Sequence, residues 1–253
     1  MAVQVHHVVD GPPDGVPVVL SGSLGSTLAM WEPQVRPLTE AGYQVIRYDH
    51  RGHGGSPVPE GPYDLADLGG DVLALLDRRG IEKAHFVGLS LGGMTGMWLG
   101  AHVPDRLASL VLCCTSAKLG PPQMWADRIR AVREGGTESL ASAVVDRWVT
   151  SAFHPERRAE LERMVASTSD EGYAGCCAAI EKMDLTGELA RITAPTLVIS
   201  ASDDPSTPPP HGKAIAEAIP GARFAEVGDA AHLGNVERPD EFSELILARL
   251  AAR

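Results

Sequence analysis

Residues 84–93 read AHFVGLSLGG. An apolar run ends in Gly88-Leu89-Ser90-Leu91-Gly92, the spacing G-x-S-x-G, and a helix-length segment follows from Leu91 to His102. Small residues on both sides of a serine let a strand turn sharply into a helix. The serine then stands at the tip of the turn with a strained backbone, its hydroxyl exposed beside the positive N-terminal end of the helix. A glycine-flanked serine between a strand and a helix can also be a plain turn, so the stretch acquires meaning only from the rest of the chain.

Working outward, further short apolar runs bounded by turn signals occur at VPVVLSG, YQVIRYD, LASLVLCCT, PTLVISAS and ARFAEVGD. Helix-length segments separate them, notably Asp64–Arg79, Leu91–His102, His211–Ile219 and Pro239–Ala252. Strands alternating with helices predict an α/β fold with a mostly parallel sheet flanked by helices on both faces. VQVHHVVDG at the start is expected to add an antiparallel edge. The rhythm breaks between Pro121 and Leu185, where several helices and no strand are expected. The expected organisation is therefore a core of residues 1–120 and 186–253 with a small helical cap, residues 121–185, inserted in it.

Composition limits the partners. There are 22 basic and 33 acidic residues among 253, a formal net charge of -11. Such a field repels nucleic acid and anionic lipid, and an anionic ligand would need a local cation. MAVQVHHVVDGPPDG has no basic segment followed by an apolar one, and no run approaches the ~20 apolar residues that span a bilayer. A cytoplasmic protein is expected, with neither membrane nor nucleic acid among its partners. Cys113–Cys114 and Cys176–Cys177 are adjacent pairs without C-x-x-C spacing, so buried reduced thiols are expected and a metal site is not.

A serine hydroxyl is a weak nucleophile near neutral pH and needs a general base, which in turn needs an orienting carboxylate. After PTLVISAS comes DDPSTP, and after ARFAEVGDA comes AHLGNVERP. His232 is singled out from the other eight histidines by its place between the last strand and the last helix. Asp204 is preferred to Asp203 because its spacing to Thr207-Pro208 gives D-x-x-T-P. The order Ser90, Asp204, His232 is that of a nucleophile elbow with its acid and base. SGSLGS, residues 21–26, lacks the G-x-x-x-x-G-K pattern of a phosphate loop, as does DHRGHGGS at 49–56. The second is expected to be a structural turn in which Asp49 and Arg51 pair with backbone and carboxylate groups.

Together these residues resemble the α/β-hydrolase superfamily over essentially the whole chain, and more narrowly the 3-oxoadipate enol-lactonases. The narrower resemblance rests on SGSLGSTLAMW with Met30-Trp31, DHRGHGGSPVP, VGLSLGGMTGMWL, RWVTSAF, ASDDPSTPP and AHLGNVERPDEF. Many superfamily members carry His-Gly where this chain has Ser21-Gly22, and the lactonases are associated with asparagine where it has Gly22. In such a fold the loop after an early strand lies beside the elbow, so the backbone N–H groups of Ser23 and Leu91 are the expected oxyanion donors.

Some relatives carry a fused carboxymuconolactone decarboxylase domain, whereas this chain, which stops at Arg253, is expected to hold the hydrolase unit alone; the resemblance implies action without metal or organic cofactor. Its substrate would be a small anionic enol-lactone, opened to 3-oxoadipate through an acyl-enzyme in aromatic-compound catabolism. Trp148 is the candidate pocket wall, and Arg147 or Arg128 the candidate partner of the substrate carboxylate. Adjacent helical residues diverge by about 100°, so Arg147 and Trp148 are not expected to face the pocket together. The alternatives are a small-ester esterase or a cofactor-free perhydrolase of the same fold, or a non-enzymatic small-molecule receptor. Self-association is left open.

Overall fold

The computed structural model describes residues 1–252. Its strands and helices run β1 (His7–Asp10), β2 (Val16–Ser21), α1 (Glu32–Glu40), β3 (Tyr43–Tyr48), α2 (Leu65–Arg78), β4 (Ala84–Leu89), α3 (Leu91–His102) and β5 (Leu107–Cys113). Then follow α4 (Pro122–Gly135), α5 (Ala141–Trp148), α6 (Pro155–Ala166), α7 (Asp170–Lys182), β6 (Thr196–Ala201), α8 (Pro209–Ala218), β7 (Arg223–Val227), α9 (Gly234–Glu237) and α10 (Pro239–Ala251). The strands form one seven-stranded sheet in the order β1-β3-β2-β4-β5-β6-β7. Only β1 is antiparallel to its neighbour, as the sequence led us to expect for the N-terminal edge.

The alternation of side chains along each strand divides the core. On β4, Phe86 joins an apolar cluster with Leu68, Leu75 and Met94, whereas the next residue, Val87, joins one with Leu38, Phe242 and Ile246. Thus α2, α3 and α8 cover one face of the sheet and α1 and α10 the other, which makes the strands apolar on both sides. Helix α2 starts on a reciprocal cap. The side chain of Asp64 accepts from Asp67 N–H at 2.8 Å, and the Asp67 carboxylate accepts from Asp64 N–H at 3.3 Å.

Helix α1 is absent from the segments expected to be helical, because EPQVRPLTE carries two prolines. Pro33 lies in the first turn, where its missing N–H would have had no acceptor. Pro37 forfeits one helical bond, and burial of Gln34 and Leu38 against the core keeps the segment in place.

Four α-helices, α4 to α7, lie between β5 and β6, with α4 packed on α7 and α5 on α6. All four cysteines are free and buried, two of them in β5 and the turn after it and two in α7. Among the described residues no helix is long and apolar enough to cross a membrane.

Order in the sheet fixes where a site can form. The order in which successive strands are laid down reverses at the parallel pair β2 and β4: β3 is added on one side of β2 and β4 on the other, with Ser21 opposite Gly88. Loops leaving the carboxyl ends of adjacent parallel strands diverge at such a reversal and leave a crevice. The loop at 21–26 and the turn at Ser90 are therefore brought together by strand order.

Candidate active site

Ser90 sits between β4 and α3 with φ 57° and ψ -113°, a left-handed backbone that a non-glycine residue adopts only under constraint. The constraints are visible. Ser90 N–H donates to Cys113 O at 2.9 Å, and Ser90 O accepts from Met94 N–H at 2.9 Å and from the Thr115 hydroxyl at 2.7 Å. The flanking glycines are there because strand and helix meet too closely for side chains. A Cβ at Gly88 would overlap the carbonyl of Gly92, and one at Gly92 the carbonyl of Ser21.

Asp204 and His232 meet in the loops after β6 and β7. His232 Nδ1 lies 2.8 Å from Asp204 Oδ2, and both side chains are buried. Asp204 also accepts from Thr207 Oγ1 at 2.6 Å, Thr207 N–H at 3.0 Å and Ser206 N–H at 2.7 Å. Burial alone would push its carboxyl up, but attraction to His232 and hydrogen bonds from His232 and Thr207 outweigh it and hold it at about 2. The ionised carboxylate fixes the proton on Nδ1 and leaves Nε2 as a lone pair. Asp203, by contrast, is exposed.

Ser90 and His232 line one cavity of about 50 Å³ together with Ser23, Trp148, Arg128 and Tyr173. Ser23 N–H donates to Met30 Sδ at 3.2 Å, a weak thioether acceptor. Leu91 N–H belongs to the first turn of α3 and has no acceptor within its own helix.

Arg147 and Trp148 both line this cavity, contrary to the divergence expected of neighbouring helical residues. Trp148 is the last residue of α5, where the helix gives way to extended backbone at Val149. The long Arg147 side chain reaches round to donate to Pro205 O at 2.7 Å and Ser206 Oγ at 3.2 Å. The helical angle governs Cβ directions, and a side chain as long as arginine is not bound by it.

Arg128 differs from Arg147. Its guanidinium carbon lies 5.6 Å from the ring centres of both Trp125 and Tyr173, and among the described residues no carboxylate pairs with it. Among the described residues the buried Tyr173 hydroxyl has no partner with hydrogen-bond geometry, and burial, outweighing the nearby Arg128, pushes its ionisation up, so it stays a neutral donor. A larger groove of about 640 Å³ shares Leu119, Trp125, Arg128, Val144, Arg147 and Ser206 with the cavity, and forms its outer approach.

Asp49 and Arg51 are the paired structural groups the sequence suggested. Asp49 accepts from Leu28 N–H at 2.7 Å and Gly55 N–H at 2.9 Å, and Arg51 holds Asp71 at 2.7 Å. Thr115, Tyr173 and Glu237 also reach the site or its supports, and nothing local in the sequence marks them. Among the described residues no group of three or more His, Cys, Asp or Glu is placed to hold a metal ion.

A profile described as the alpha/beta hydrolase fold matches residues 16–239, and the chain belongs to that family of hydrolases. Within it the chain is similar to 3-oxoadipate enol-lactonase 2 of Acinetobacter baylyi, with 40% identity over 97% of this chain and 92% of the relative. It is also similar to the crystal structure of the enol-lactonase from Burkholderia xenovorans LB400. That likeness has a TM-score of 0.96 at 41% identity and covers 100% of this chain and 99% of the other. A malate-bound thermophilic esterase from Thermogutta terrifontis is similar at 29% identity and a TM-score of 0.92, over 98% of this chain and 93% of that one.

Proposed function

We propose that the protein hydrolyses 3-oxoadipate enol-lactone to 3-oxoadipate through Ser90, His232 and Asp204, in the cytoplasm and without metal or organic cofactor. The observation that carries this reading is the convergence of Ser90 and His232 on a cavity lined by a cation, Arg128, that has no carboxylate partner among the described residues. A small lactone bearing a free carboxylate supplies both an acyl centre for Ser90 and an anion for Arg128. Arg128 is preferred to Arg147 because the guanidinium of Arg147 is already engaged with Pro205 and Ser206. The Tyr173 hydroxyl adds a neutral donor beside it. Residues 121–185 act as the cap that covers the bound lactone, with Trp148 as its wall.

His232 Nε2 takes the proton of Ser90 Oγ as that oxygen attacks the lactone carbonyl. The tetrahedral oxyanion accepts from the N–H groups of Ser23 and Leu91, each worth about 3 kcal/mol of transition-state stabilisation. Collapse breaks the ring C–O bond, and the expelled enol oxygen takes the proton from His232. The enol then tautomerises to a ketone, which removes the nucleophile that could reclose the ring. Water deprotonated by His232 attacks the acyl ester, releasing Ser90 and the second carboxylate. Asp204 orients His232 and stabilises its cationic form in both halves of the cycle.

The test is loss of enol-lactone absorbance with purified protein, beside turnover of neutral aryl esters. A clear preference for the lactone, abolished in Ser90→Ala, is the expected result. Preference for the aryl ester would favour a small-ester esterase, and unchanged hydrolysis in Ser90→Ala would remove the serine mechanism altogether.

A further inference from the structure

His50 is buried, lies outside the triad, and touches the loop that carries Ser23. Its Nε2 is 3.1 Å from Gly22 O and 3.3 Å from Ser21 Oγ, which is itself 2.8 Å from Tyr48 Oη. A carbonyl oxygen can only accept, so Nε2 carries the ring proton. Gly22 O accepts a second bond from Gly92 N–H at 2.9 Å, so two donors on one side fix its direction. In a planar trans peptide the N–H points opposite to the C=O. Whatever holds Gly22 O therefore aims the N–H of Ser23.

We propose that His50 is a positioning residue that sets the tilt of the Gly22–Ser23 peptide and so aims the Ser23 N–H as an oxyanion donor. The proposal rests on the acyl-transfer reading of Ser90. Histidines act on this loop at both ends and in opposite ways. His53 Nδ1 donates to Arg51 O at 3.1 Å, and its Nε2 accepts from Gly25 N–H at 2.9 Å. One ring holds a carbonyl and the other an amide, and the segment between them carries Ser23.

The arrangement also accounts for Gly22. A Cβ there would lie 2.7 Å from Ser26 Oγ and 3.0 Å from Met30 Sδ. Ser26 Oγ donates to Met30 Sδ at 2.9 Å, so the two side chains fill the space together. A side chain at position 22 would press on these two, and the Gly22 carbonyl is held instead by His50 and the N–H of Gly92.

The test compares His50→Leu, which removes the donor, with His50→Gln, which restores an N–H near the same place. Both are assayed on the enol-lactone and on a neutral aryl ester, with the melting temperature as a check on folding. A misaimed donor lowers kcat about 10- to 100-fold on both substrates while KM stays within about two-fold, and His50→Gln recovers most of the loss. Inhibition by a small alkylboronic acid, whose Ser90 adduct places an oxygen at the same donors, weakens in step with kcat. Wild-type kcat in a folded His50→Leu protein overturns the proposal, as does a loss confined to KM or one that glutamine does not rescue. Ser90→Ala, run beside them, separates the two failures. If it still turns over, the acyl-transfer reading fails and takes the positioning role with it. If it is inactive while His50→Leu retains full kcat, only the positioning role fails.

Discussion

Glu237 ties Thr150 to the histidine loop. One carboxylate oxygen accepts both the N–H of Thr150, at 2.9 Å, and its hydroxyl, at 2.8 Å; the other accepts Ala231 N–H at 2.6 Å. On the far side of His232, Leu233 N–H donates to Trp148 O at 2.7 Å. His232 is thus held between two backbone amides, each tied to the end of α5 or the residues after it. In Glu237→Gln one oxygen becomes an NH₂ group that confronts an N–H donor. We expect kcat to fall about 10-fold and stability by about 1–3 kcal/mol, since a buried donor loses its partner. Steady-state kinetics and urea unfolding read the two effects, and unchanged kcat would show that the clamp does not act on His232.

Backbone strain at Ser90 predicts an opposition between stability and activity. Glycine adopts φ 57° without the steric cost that serine bears there. Ser90→Gly should abolish hydrolysis yet unfold at higher urea, with a gain of about 1 kcal/mol, less the entropy that glycine adds to the unfolded chain. Ser90→Ala removes the hydroxyl but keeps the strain, and should lie below Ser90→Gly in stability. The reverse order would mean that the elbow stores no strain.

The elbow, the parallel sheet and the order Ser90, Asp204, His232 were legible because each leaves a local pattern: glycines around a serine, β-branched runs, and polar loops at strand ends. What was not legible depends on long-range approach. Thr115 braces Ser90 O only because β4 and β5 are neighbours, and Tyr173 reaches the cavity only through the packing of α7 on α4. Helix α1 was hidden by prolines that penalise a helix in isolation and are outweighed when its apolar side is buried. Arg147 and Trp148 show the limit of helical-wheel reasoning at a helix end, where a long side chain and a turning backbone escape the regular angle.

Acid should destabilise the fold in two stages. Burial, above all, lowers His50 and His53 from an ordinary 6.5 to about 4. Between those values the unfolded chain binds protons that the folded one refuses, so stability is full above about pH 6.5 and falls as pH drops toward 4. Each ring contributes at most about 3 kcal/mol to that loss. Asp204, held at about 2, adds stability that is present above its ordinary value of 3.8 and is lost only as pH falls through 2. Urea unfolding at pH 7.5, 5.5 and 4.5 checks the first stage, and His50→Gln should flatten it. A wild-type protein equally stable at all three would refute the assignment.

Arg128 offers the sharpest separation of substrate recognition from chemistry. Its guanidinium rests against Trp125 and Tyr173 and has no carboxylate partner among the described residues, so removing it strands no buried anion. A charged hydrogen bond to the substrate carboxylate is worth about 1.5–3 kcal/mol. Arg128→Met should therefore lower kcat/KM on the anionic lactone about 10- to 100-fold, chiefly through KM, and leave a neutral aryl ester within about three-fold. Arg128→Lys keeps the charge but not the flat guanidinium that packs on the two rings, and should recover only part of the loss. Arg147→Met should cost less on the lactone, because its donors serve Pro205 and Ser206 beside Asp204. Equal losses on lactone and neutral ester in Arg128→Met would assign it to cavity shape instead of anion recognition, and a larger loss in Arg147→Met would move the carboxylate to the mouth of the outer groove.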